Sequence, residues 1–207
     1  MKPYIIALTG ASGVVYGIRL VQVMAEMGYD LALVISESAR LVIGEEQGGS
    51  PKSWDNADDL VEVFGPAIRK HTRIYACQDL TAPIASGSYP VSGMMIVPCS
   101  MATLGAIANG VGQNLIHRAA DCTLKEGRKL VMVPRETPLN AIHLENMLKL
   151  SRLGVPMVPA MPAFYGGVRE VHELVDFIVG KVLDQFGIQH ALYLRWTGSL
   201  KPPAERI

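Results

Sequence analysis

The first 35 residues restrict the fold of this chain more than any other part of it. Tyr4-Ile-Ile-Ala-Leu-Thr9 is an unbroken apolar run that ends at Gly10-Ala-Ser-Gly13. A short apolar run closed by glycines reads as a buried strand entering a tight turn. Ile18, Val21 and Met24 (with Ala25) then recur at helical spacing, Gly28 ends the helix, and Leu31-Ala-Leu-Val-Ile35 is a second buried strand. Two apolar strands joined by an amphipathic helix form a βαβ unit, which commits the sheet to parallel pairing with helices on both faces.

The rest of the chain repeats the pattern. Strand-like runs occur at Met94-Met-Ile-Val97, Leu130-Val-Met-Val133 and Val155-Pro-Met-Val158. Helical patterns fall between them at Met101 to Asn109, Leu115 to Glu126 and Leu139 to Leu153. A final helix aligns Val171, Leu174, Val175, Ile178, Val179, Val182, Leu183 and Phe186 on one stripe. The fold class expected is α/β: a single doubly wound, mostly parallel sheet with helices on both faces, Rossmann-like. One domain spanning residues 1–207 accounts for the chain, with a C-terminal tail from about residue 188. Gly48 to Asp59 reads as a surface excursion.

Charge excludes several classes of function. Nineteen basic residues balance nineteen acidic ones, so no net field favours nucleic acid or a membrane surface. Charged residues make up only 18%, against about 25% in an average soluble domain. From Leu80 to His117 there is no Asp, Glu, Lys or Arg. Pro83, Pro90, Pro98 and four glycines between Gly93 and Gly112 break that stretch too often for a membrane-spanning helix. It reads instead as a buried strand and helix, with surface left over for packing against other subunits. Cys77, Cys99 and Cys122 are odd in number and form no CxxC pair, so neither a disulfide framework nor a zinc site is indicated. The apolar run at the start of the chain is too short for a secretion signal, and a cytoplasmic location is expected.

In doubly wound sheets ligands sit outside the carboxyl ends of the strands. The loops to weigh are therefore Gly10–Gly13, Ser36–Ser38, Pro98–Thr103, Pro134–Pro138 and Pro159–Gly167. Gly10, Ala11 and Ser12 open a helix whose free N–H groups and positive end suit a phosphate. The G-x-G-x-x-G spacing is absent, which favours a mononucleotide over a dinucleotide. Ser36 is either a plain helix cap or a hydroxyl for a ligand. Ser100, Met101, Ala102 and Thr103 form a second strand-to-helix turn, again a cap or a second hydrogen-bonding arm. Cys99 fits a small buried residue better than a nucleophile, and His117 and His143 fit structural or capping roles. Arg118 and Lys125 lie seven residues apart on one helical face, and Arg135-Glu136 follow a strand at the edge where ligands bind. An arginine fork there suits phosphate and the neighbouring carboxylate a proton relay.

Several longer blocks are specific. Thr9-Gly-Ala-Ser-Gly13, Ala85-Ser-Gly-Ser88, Val97-Pro-Cys-Ser100, Asn114-Leu-Ile-His-Arg-Ala-Ala-Asp121 and Val133-Pro-Arg-Glu136 occur in order. His143-Leu-Glu-Asn-Met147 and Pro159-Ala-Met-Pro-Ala-Phe-Tyr165 follow. From about residue 4 to Trp196 the series resembles the UbiX-like flavin prenyltransferases, within the wider flavin-binding group that includes cysteine decarboxylases. The resemblance implies an enzyme that moves a dimethylallyl group from dimethylallyl phosphate to N5 and C6 of reduced FMN, without a metal. It implies FMN contacts at Gly10, Ala11, Ser12, Ser36, the Ser100–Thr103 loop and Arg135. It implies donor contacts at Tyr165, Lys181, Arg118, Lys125 and Trp196, and chemical roles for Glu46, Glu136 and Ser12. It further implies a homododecamer built from trimers with shared sites, and a UbiD-like decarboxylase as recipient of the prenylated flavin. Two positions depart from the expected wording: Lys181 stands where arginine occurs in some relatives, and Met101 removes a hydroxyl from the third loop. A cysteine decarboxylase would want a histidine in the helix from Val14 to Met27, which has none. A non-enzymatic FMN carrier would leave Glu46, Glu136 and the basic set without a task.

Overall fold

The computed structural model describes residues 2–51, 53–164 and 168–196. In chain order its elements are β1 (Tyr4–Leu8), α1 (Val14–Glu26), β2 (Leu31–Ile35), α2 (Glu37–Gln47), α3 (Val61–Phe64), α4 (Ile68–His71) and β3 (Thr72–Ala76). They continue with β4 (Gly93–Cys99), α5 (Met101–Ala108), α6 (Leu115–Lys125), β5 (Leu130–Pro134), α7 (Ala141–Arg152) and α8 (Val171–Gln185). The strands form one sheet in the order β3-β2-β1-β4-β5, every pair parallel.

Strand alternation divides the core in two. Ile6, Leu8, Leu33, Ile35, Met95, Val97, Val131 and Val133 face one layer, built from α1, α3, α4 and α8. Ile5, Ala7, Val34, Met94, Ile96, Leu130 and Met132 face the other, built from α5, α6 and α7. Because both faces are covered, the central strands show no polar alternation, as parallel sheets require. Gly17 in the middle of α1 has a specific cause: a Cβ there would lie 2.1 Å from the Val97 carbonyl oxygen. Helix α1 therefore rides directly on β4.

Two strand assignments change. β3, Thr72-Arg-Ile-Tyr-Ala76, is the edge strand and buries only Tyr75, so it lacks the apolar run that marks the central strands. The expected strand at Val155–Val158 is reduced to a single bridge between Met132 and Met157. Pro156 and Pro159 have no N–H to donate, so a ladder cannot extend there.

From β1 the chain moves outward through β2 and β3, then returns to β4 and β5 on the other side of β1. The reversal lies between β1 and β4. Their carboxyl ends open the crevice in which a ligand of a doubly wound sheet sits. Among the described residues no helix is long and apolar enough to cross a membrane.

Candidate active site

The β1–α1 turn and the β4–α5 turn are tied together by one buried hydroxyl. Thr9 Oγ1 donates to the Pro98 carbonyl at 2.9 Å and accepts the Ser100 N–H at 2.8 Å. Thr9 is 1% exposed. Thr9→Val keeps the shape but leaves a buried N–H without an acceptor, at a cost of about 1–3 kcal/mol. A melting point lowered by several degrees, with the far-ultraviolet spectrum unchanged, is the expected result.

Gly10 must lack a side chain, because a Cβ there would stand 2.3 Å from the Ser38 Cβ at the start of α2. Ala11 is buried and Ser12 exposed. Gly13 takes a left-handed conformation at φ 92° and turns the chain into α1, which has no side-chain cap of its own. The free N–H groups of that helix end are met from a distance. Glu46, in the last turn of α2, accepts from Gly13 N at 2.9 Å through Oε1 and from Val14 N at 3.1 Å through Oε2. The carboxylate stands in for an anion: two convergent donors and a positive helix end form a cradle that already holds a negative group. A phosphate can use the same donors only when Glu46 moves aside.

Arg135 reaches this turn from the end of β5. Its Nε donates to the Ser12 carbonyl at 2.8 Å, and its backbone N–H bonds the Cys99 carbonyl. The guanidinium is thereby held beside the cradle, with remaining donors free to fork onto phosphate oxygens. Ser36 accepts from Ala39 N and Ser100 from Thr103 N, so both cap their helices. Ser100 Oγ also donates to Thr103 Oγ1 at 3.1 Å. Met101 is buried, and Ala102 is exposed at the first turn of α5. Glu136 is exposed, and its Oε1 accepts its neighbour's N–H at Thr137. The donors, the positive helix end and the arginine suit the phosphate of FMN, and the side-chain-free surface at Gly10 suits its close approach.

The remaining residues expected at the site fall elsewhere. Arg118 lies near the carboxyl edge, but its guanidinium binds the Ala85 carbonyl and Asp121. Lys125 ends α6 and leads into the amino end of β5, at the opposite edge of the sheet. Lys181 is in the last turns of α8, whose end packs Phe186 against Tyr4 at that same amino edge. Trp196 is exposed and follows Arg195, which bonds Asp184 of α8. Tyr165 lies outside the described residues. One chain thus assembles Gly10–Gly13, Glu46, the Ser100–Thr103 turn and Arg135, and leaves Lys125 and Lys181 at a distance.

Burial pushes the Cys99 thiol up to about 12, so it stays protonated and unreactive, as a structural cysteine does. Burial lowers the His117 pKa and keeps that ring neutral. His143 forms a reciprocal capping box with Asn140 at the start of α7. Thr9 and Ser38 were without an assigned role in the sequence. A hydroxyl closing an apolar strand immediately before the glycine turn is the signal that points to Thr9.

Comparison with known proteins agrees with this geometry. A family model described as Flavoprotein matches residues 1–183. The flavin prenyltransferase UbiX of Halalkalibacterium halodurans is 51% identical over 193 residues, covering 93% of this chain and 92% of that protein. A dodecameric FMN-dependent UbiX-like decarboxylase from Escherichia coli O157:H7 superposes with a TM-score of 0.83 at 45% identity, covering 96% of this chain and all of that one. A UbiX solved with FMN and dimethylallyl pyrophosphate also gives 0.83, at 35% identity, covering 96% of this chain and 98% of the other. The chain belongs to the flavoprotein family and, within it, to the UbiX flavin prenyltransferases.

Proposed function

We propose that this chain transfers a dimethylallyl group from dimethylallyl phosphate to N5 and C6 of reduced FMN. The observation that carries the reading is the cradle of Gly13 and Val14 N–H groups at the β1–β4 switch point, flanked by Arg135 and engaged by an anionic side chain. Gly10, Ala11, Ser12, Ser36, the Ser100–Thr103 turn and Arg135 would hold FMN. When bound in its reduced form, FMN supplies the nucleophile that the protein itself lacks.

The side chains supply charge and proton management. Arg135, Arg118, Lys125, Lys181 and the Tyr165 phenol offset the negative charge that grows on the departing phosphate. Glu46 is freed from the helix end when a phosphate takes its donors, and its carboxylate then moves a proton beside Ser12. Glu136 serves the same purpose from the β5 side. Trp196 offers a π face to an allylic cation.

Lys125 and Lys181 sit at the amino edge of the sheet, so they reach this cradle only from neighbouring copies of the chain. A shared site explains the dodecameric relative and gives a task to the uncharged stretch from Leu80 to His117. Exposed Ile142, Leu144 and Leu148 on α7 suit contacts between copies in such an assembly. The product goes to a UbiD-like decarboxylase, and the enzyme works in the cytoplasm.

Phosphate release is a direct test. Inorganic phosphate is expected from dimethylallyl phosphate only when reduced FMN is present. Release without flavin would mark a phosphatase, and no release in either case would refute the transfer.

A further inference from the structure

The tail after α8 folds back on that helix and closes around one carboxylate. Asp184 accepts from Arg195 Nη2 at 2.7 Å and faces His190 Nε2 at 3.1 Å. It also accepts from the Tyr193 hydroxyl. The His190 side chain is 2% exposed, and Ile188 is buried beneath the turn. Burial alone would raise the Asp184 pKa, but the bonds from Arg195, Tyr193 and His190 outweigh it and bring it to about 2. A carboxylate with a depressed pKa stabilises the fold above its ordinary range and loses that contribution only as pH falls towards 2, so the clasp is intact at neutral pH.

Gly180 makes room for this arrangement. A Cβ on it would come within 2.6 Å of the Tyr193 ring and 2.7 Å of His190 Cε1. With its hydroxyl held by Asp184, the ring of Tyr193 lies 5.0 Å from that of Phe177. The Lys181 ammonium lies 5.0 Å from the Tyr193 centroid, where it also meets the Tyr193 hydroxyl, and 5.3 Å from the Phe177 centroid.

We propose that Tyr193, anchored by Asp184, is a positioning residue that holds the Lys181 ammonium ready for the phosphate of the allyl donor. The inference rests on Lys181 contacting that phosphate, as argued above. A lysine lacks the rigid fork of arginine, and its four-carbon stem leaves the charge free to wander. Two aromatic faces restrict it by cation–π attraction without neutralising it. A carboxylate partner would have cancelled the charge that the phosphate needs. The clasp is thus a device suited to lysine at this position.

Calorimetric binding of dimethylallyl phosphate to protein carrying oxidised FMN, which cannot turn over, tests the proposal. Tyr193→Leu is expected to weaken donor binding roughly 5- to 10-fold, between the worth of an exposed and of a desolvated cation–π contact. Tyr193→Phe keeps the ring and loses the anchor, so it should fall between the wild type and Tyr193→Leu. Gly180→Ala removes no polar group but displaces the ring, and should match Tyr193→Leu. In turnover the same variants should raise KM for the donor and also lower kcat, because Lys181 offsets charge on the departing phosphate, and their FMN content should be unchanged. On a Lys181→Ala background Tyr193→Leu should add nothing. Normal donor binding by Tyr193→Leu and Gly180→Ala, or effects that multiply in the double variant, would overturn the positioning role. A wild-type protein that binds no donor would instead remove the functional reading beneath it.

Discussion

Glu46→Gln is expected to slow formation of prenylated flavin by about 10²- to 10⁴-fold, the usual range for losing a positioned acid–base group. FMN affinity should change by no more than a few fold. The reason for the split is structural. Glu46 meets Gly13 and Val14 through its oxygens, and glutamine retains one oxygen of the same reach. Glutamine cannot move a proton, however, so the shape of the cradle survives and the chemistry does not. Flavin fluorescence quenching measures the affinity and mass spectrometry of the extracted flavin measures the rate. A variant that turns over at the wild-type rate would remove Glu46 from the mechanism.

Gly17→Ala should be the most damaging methyl group that can be added to α1. Alanine is the better helix former by about 1 kcal/mol, so propensity alone predicts stabilisation. The added Cβ would stand 2.1 Å from the Val97 carbonyl and 2.8 Å from Leu8 Cγ, and backbone cannot yield as a flexible side chain can. The helix must lift from the sheet, at a net cost of about 2–4 kcal/mol. At about 2–4 °C per kcal/mol for a domain of this size, the melting point should fall by roughly 5–15 °C. FMN content should fall with it, because α1 carries the Gly13–Val14 donors. Gly105→Ala in α5 is the control: its Cβ would meet only Asn146 Nδ2 at 3.4 Å, and it should be neutral or stabilising. Equal melting points for the two variants would contradict the close seating of α1 on β4.

How far the molecule could be read from its residues depends on how each residue is used. β1, α1 and β2 were legible because their burial is continuous and their glycines punctuate it. β3 was not, since an edge strand that exposes Arg73 and Ala76 carries no such run. Val155–Val158 looked like a strand because apolar content outweighed Pro156 within it and Pro159 after it. At the site, the Gly10–Gly13 turn and Arg135 followed from position at the carboxyl edge. The seat of Glu46 on the end of α1 did not, because 33 residues separate Glu46 from Gly13 and no local pattern links them. Lys125 and Lys181 entered through the family resemblance, and a single chain keeps them at the far edge of the sheet. On the proposed reading their use depends on neighbouring copies, which one sequence does not display. The clasp of His190, Tyr193 and Arg195 on Asp184 of α8 has no sequence signal for a different reason: a tail after the last helix shows no periodicity.

The most direct test of the central claim is the mass of the flavin released after anaerobic incubation with reduced FMN and dimethylallyl phosphate. A flavin heavier by one prenyl unit, formed only when donor and reduced FMN are both present, is the predicted result. Recovery of unmodified FMN from correctly assembled, flavin-loaded protein would contradict it.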